Sequence, residues 1–139
     1  MTAFNFLYPI TIRYGDLDPQ GHVNNACFLT YFEQARVHYL IHLGLFDRDQ
    51  SFMDVGIILA EVRVTYLTPV NFGMSIQVGA GTTRLGNKSI EMAYSLLKKD
   101  NNQVLATGSA VLVTFDYRAR KTILIPNHWR ERISAFENL

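Results

Sequence analysis

Between Ala26 and His42 the chain carries more apolar side chains than one face of a helix can hold, and this stretch limits the possible folds. Phe28, Phe32, Ala35, Tyr39 and Leu43 recur at spacings of three and four, the helical period. Leu29, Tyr31, Val37, Leu40 and Ile41 widen the stripe well beyond that face. A helix so apolar is expected to be enclosed on several sides, because a surface helix needs a narrower stripe. Asn24 or Asn25 supplies an N-cap and Gly44 a stop.

The remainder follows a period of two. Tyr8 to Tyr14 is rich in β-branched and aromatic residues and reads as a first strand. Ile58-Ala60-Val62-Val64-Tyr66 and Ile76-Val78-Ala80 alternate with polar or small residues, and Ile90-Met92-Tyr94-Leu96 follows a Gly86-Asn87 turn. Gln103 to Asp116 is apolar on both faces, as a central strand would be, and follows the Asp100-Asn101-Asn102 turn. Pro126 to Phe136 suits a short terminal helix with proline at its start. Strand, loop, one long helix and four strands in hairpin order predict an α+β domain over residues 1–139, with a five-stranded antiparallel sheet wrapped about the helix.

Charge narrows the partners. Thirteen Lys plus Arg against twelve Asp plus Glu leave +1, so no broad basic field is present to attract nucleic acid or a membrane surface. Cys27 is the single cysteine and excludes an internal disulfide. The start lacks a basic segment followed by an apolar one, and no run approaches the ~20 apolar residues of a bilayer span. The expected setting is soluble and cytoplasmic.

Chemistry concentrates in Gly15 to Asn25, which holds Asp16, Asp18, His22 and two asparagines directly before the helix. The first amides of a helix lack intrahelical acceptors and carry partial positive charge. Such an end polarises a carbonyl, and a carboxylate held opposite could activate water or attack directly. On composition alone, the same residues also describe a turn with Asx capping.

The run Tyr14-Gly15-Asp16-Leu17-Asp18-Pro19-Gln20-Gly21-His22-Val23-Asn24-Asn25, with Tyr31-Phe32-Glu33-Gln34-Ala35-Arg36, resembles the signature of the 4-hydroxybenzoyl-CoA thioesterase-like branch of the hot-dog superfamily. The His-Val-Asn-Asn form is most similar to its fatty acyl-CoA thioesterases, and the strand succession extends the likeness over nearly the whole chain. The resemblance implies that Asp18 is the catalytic carboxylate and the Asn25 amide the oxyanion contact. His22 then touches the thioester or orients Asp18. Lys88 and Ser89, with Arg84 nearby, match loosely the hairpin that meets the nucleotide end of coenzyme A; a solvated hairpin lysine is the other reading of Lys88. The family further implies an acyl-CoA substrate, with acyl carrier protein as the alternative carrier, no cofactor, and a homodimer or homotetramer paired through edge strands.

Other residues carry competing readings. Glu33 could be a second catalytic acid, but an ion pair with Arg36 or Arg13 accounts for it. Cys27 in the first helical turn is placed for a stabilised thiolate, yet reads better as a small buried residue. His38 and His42 lie one turn apart without the glutamate of a zinc protease motif, so no metal is expected. Gly81 to Lys88 resembles a phosphate-binding loop only superficially, and no Gly-x-Ser-x-Gly elbow occurs. The functional alternatives are a non-catalytic acyl-CoA or lipid-binding module, an acyl carrier protein thioesterase, and a hydratase or dehydratase of the same fold.

Overall fold

The computed structural model describes residues 3–51 and 53–139. In chain order the elements are β1 (Phe6–Ile10), α1 (Asn25–His42), β2 (Val55–Tyr66), β3 (Ile76–Leu85), β4 (Ser89–Lys98), β5 (Val104–Asp116), β6 (Lys121–Thr122) and α2 (Asn127–Glu137). A single 3-10 turn, Tyr14–Asp16, separates β1 from the loop before α1.

Local chemistry explains the helix limits. Asn24 caps α1, its side-chain oxygen accepting from the Ala26 amide at 2.9 Å. At the other end Gly44 adopts φ +72°, a left-handed turn that a side chain would strain. Arg132 then donates to the carbonyls of Leu43 and Gly44, closing the last turn of α1 against α2.

All strand pairs are antiparallel, in the order β1-β3-β4-β5-β2, with β6 added to the end of β5. Five strands therefore make the sheet proper, as expected. β5 is flanked by β4 and β2 along its length, an interior position in the sheet, and buries mainly one face. Two details differ from the sequence reading. β1 runs from Phe6 to Ile10, earlier than Tyr8 to Tyr14, because its partner β3 begins at Ile76, opposite Ile10. Nor are the four later strands joined throughout by hairpins. β2 pairs with β5, and residues 67–75, containing Pro69 and the left-handed Gly73, carry the chain across to β3. That connection is far longer than the two to five residues of a hairpin loop.

The core lies between α1 and the sheet. Phe28, Tyr31, Phe32, Ala35, Tyr39 and Leu40 are buried on the helix, facing strand residues such as Val78, Tyr94, Leu96 and Leu112. Enclosure is incomplete within one chain, however: Leu29 remains 39% exposed, and Thr30, Glu33 and Gln34 face outward. The wide apolar stripe is thus covered on the sheet side and partly open on the other.

Phe32 lies flat on Tyr94, ring centres 5.1 Å apart at 11°, and its edge meets β5 at Gly108. A methyl group at Gly108 would come within 2.6 Å of the Phe32 ring and 3.1 Å of the Arg63 carbonyl. Gly108→Ala should therefore destabilise the fold by about 1–3 kcal/mol through overpacking. A lowered urea midpoint with unchanged slope is the expected readout; an unchanged midpoint would mean that the helix sits further from the sheet.

Candidate active site

The loop before α1 is a small closed structure. Leu17 and Val23 form an antiparallel bridge, the Asp18 amide donates to the His22 carbonyl at 2.7 Å, and the Asn24 amide donates to the Asp16 carbonyl at 2.8 Å. Gly21 turns the chain at φ +81°. The Val23 amide reaches the Val70 carbonyl at 2.8 Å, tying the loop to the segment after β2.

Within this frame the two aspartates have opposite roles. Asp16 is 3% exposed and fully engaged. It accepts from the Arg13 amide at 3.0 Å, the Arg13 guanidinium at 3.1 Å and the Tyr31 hydroxyl at 2.8 Å. Burial alone would raise its carboxyl, but these donors outweigh it and hold Asp16 below the ordinary carboxylate value. Asp18 is half-buried, and its Oδ1 accepts from the Gln20 and His22 amides at 3.0 and 3.1 Å. One oxygen is thus anchored, and the other, Oδ2, has no hydrogen bond among the described residues.

Asp18, His22 and Asn25 line one cleft of about 380 Å³ with Phe28, Tyr66 and Val70. Asn25 is the first residue of α1, and its amide has no acceptor among the described residues, since Asn24 serves the Ala26 amide instead. The Tyr66 hydroxyl donates to the Asn25 carbonyl at 2.9 Å, and the Tyr66 ring meets Phe28 edge-on at 4.9 Å. β2 thus fixes the helix start from outside. Tyr66 and residues 67–70 were not singled out from the sequence, because only the long-range pairing of β2 brings them here.

Lys88 and Ser89 lie elsewhere in the chain. Tyr66 pairs with Ala106 at the start of β5, whereas Ser89 pairs with Val113 near its end. Seven residues of strand put about 23 Å between those levels. Lys88 Nζ reaches the Thr122 hydroxyl at 3.3 Å, and Arg84 pairs with Glu91 at 2.9 Å. Glu33 pairs with Arg36 at 3.3 Å, the structural role expected of it. Cys27 donates weakly to the Asp16 carbonyl, and burial, with the Asp16 charge adding to it, pushes its thiol up, against a thiolate nucleophile. His38 stacks on Tyr8, while His42 packs against Phe6 and Phe136. No group of three His, Cys, Asp or Glu suited to a metal ion occurs among the described residues.

The family model described as the thioesterase-like superfamily matches residues 12–133. The chain belongs to that superfamily. Among solved structures it is similar to a thioesterase complexed with coenzyme A and Zn from Thermus thermophilus. The two are 33% identical with a TM-score of 0.84, over 100% of this chain and 99% of that one. The long-chain acyl-CoA thioesterase FadM of Escherichia coli is 23% identical over 124 residues, 89% of this chain and 93% of FadM. The acyl-CoA thioester hydrolase YbgC of Escherichia coli is 21% identical over 126 residues, 91% of this chain and 93% of YbgC. The fold is the hot-dog fold of thioesterases, and the protein is a thioester hydrolase of that superfamily. No helix among the described residues is long and apolar enough to cross a membrane.

Proposed function

We propose that the protein hydrolyses acyl-CoA thioesters in the cleft between Asp18 and the start of α1. The observation that carries this reading is the pairing of an unengaged Asp18 Oδ2 with an unengaged Asn25 amide in one cleft. The thioester carbonyl oxygen accepts from the Asn25 N–H, where the helix dipole favours developing negative charge. Water attacks the carbonyl carbon and gives its proton to Asp18 Oδ2, while the carbonyl π electrons move onto the oxygen. Collapse of that oxyanion breaks the C–S bond. The thiolate of coenzyme A leaves and recovers the proton, without need of a strong acid, because a simple thiol has a pKa of about 8.5. His22 contributes through its backbone, which holds Asp18 in place.

The likeness to a thioesterase bound to coenzyme A supports that carrier over acyl carrier protein. We infer a homodimer from the two sheet edges. β1 is short and carries Pro9, which cannot donate to a neighbouring strand. β2 offers twelve residues, with Leu59 46% and Tyr66 48% exposed. An edge so long and apolar needs a cover. Antiparallel pairing of two β2 strands would bring the Lys88–Ser89 end of one sheet towards the Asp18 end of the other, near the phosphates of coenzyme A. The expected result is thiol release from a panel of acyl-CoAs by a species of twice the chain mass. Saturable binding without turnover on any ester would favour a lipid-binding module instead.

A further inference from the structure

We propose that Phe28 closes the inner end of the Asp18 cleft and so restricts the protein to short acyl groups. This rests on the thioesterase reading and names a substrate class for it. Asn25 and Phe28 stand three residues apart at the start of α1, on one face of the helix, and both line the cleft. Phe28 is 3% exposed, and Val23 and Val70 in the same cleft are also buried. Leu67 and Pro69 line it too, but both are exposed. The cleft therefore has an apolar floor and an open rim.

Floor and rim decide which way a thioester lies. The nucleotide of coenzyme A is charged and cannot enter an apolar floor, so it stays beyond the rim. With the carbonyl at the Asn25 amide, the acyl group then points to Phe28. At ~30 Å³ for each non-hydrogen atom, the figure for liquid water, a cleft of about 380 Å³ holds roughly a dozen such atoms. Once the thioester itself is counted, that leaves room for an acyl group of about eight carbons or fewer.

The space past the floor is filled. Phe28 is backed by the Tyr66 ring, edge-on at 4.9 Å, and by the Tyr31 ring at 6.5 Å. Tyr31 is itself fixed by its hydrogen bond to Asp16. One turn further along α1, Phe32 is 1% exposed, lies flat on Tyr94 and meets Gly108, so no channel follows the helix beneath the sheet. A larger hollow, of about 850 Å³, lies along the outer side of α1 beside β2, but no residue lines both it and the cleft. A second copy paired along β2 would add wall at the rim. It would not open the floor, which belongs to the core of its own chain.

The test is thiol release from straight-chain CoA esters running from acetyl-CoA to palmitoyl-CoA. For the parent, kcat/KM should peak at about eight carbons or fewer and then fall by about tenfold or more, the scale of one methylene too many in a closed apolar pocket. Phe28→Ala, which removes the ring, should move the peak by roughly two to six carbons towards longer esters. It should also raise kcat/KM for lauroyl-CoA above the parent's, a gain that a merely weakened fold does not produce. Should that variant fail to fold, Phe28→Leu should move the peak the same way by less. A parent profile that is flat, or highest at palmitoyl-CoA, overturns the proposal and leaves the thioesterase reading standing. So does a peak that stays in place in a folded Phe28 variant. If no ester is hydrolysed, the thioesterase reading falls, and calorimetric binding of the same series to parent and variant decides the length limit by itself.

Discussion

Asp18→Asn should lower kcat for acyl-CoA hydrolysis by roughly two to four orders of magnitude, the range typical of a positioned general base. The substitution keeps an oxygen to accept from the Gln20 and His22 amides, so the loop retains its shape. What it removes is the second carboxylate oxygen, the one with no hydrogen bond among the described residues. KM should change little, because the proposed mechanism gives the carbonyl to the Asn25 amide and not to residue 18. Thiol release from parent and variant, with circular dichroism as the control for folding, reads the effect. Equal rates would take Asp18 out of the chemistry.

A comparable loss, of stability, is expected at the other aspartate. Asp16→Asn should cost about 2–4 kcal/mol, since it replaces a buried, triply bonded carboxylate and turns an N–H₂ towards donors. The Arg13 guanidinium accounts for little of this, its side chain being 76% exposed. The Arg13 amide and the buried Tyr31 hydroxyl account for most. Because the folded carboxyl lies below its unfolded value of about 3.9, the contribution is complete above that pH and disappears as pH falls through the folded value. Urea midpoints for parent and Asp16→Asn should therefore differ most at neutral pH and converge in acid. A gap that stayed constant across that window would mean that the charge on Asp16 does not matter.

These two residues show how far the sequence could be read. The Asp-x-Asp-Pro run and the helix after it were legible because turn residues, an N-cap and a helical period are local properties. Which aspartate is buried was not legible, since that depends on Tyr31 reaching back fifteen positions and on Arg13 closing the 3-10 turn. The strands were legible from alternation, but their order was not. β2 lies beside β5 rather than β3, and that long-range pairing is what brings Tyr66 to the start of α1. The width of the apolar stripe on α1 was visible in the sequence; that a single chain leaves Leu29 open was not. Spacing offers Arg36 or Arg13 as the ion-pair partner of Glu33 and says nothing of burial; the structure selects Arg36 and buries it.

The most direct measurement is a crystal structure of Asp18→Asn with an intact acyl-CoA. The carbonyl oxygen should lie about 3 Å from the Asn25 nitrogen, with residue 18 on the opposite side of the carbonyl carbon and room for one water between. A thioester bound away from the first turn of α1, or with its carbonyl turned from that amide, would contradict the account.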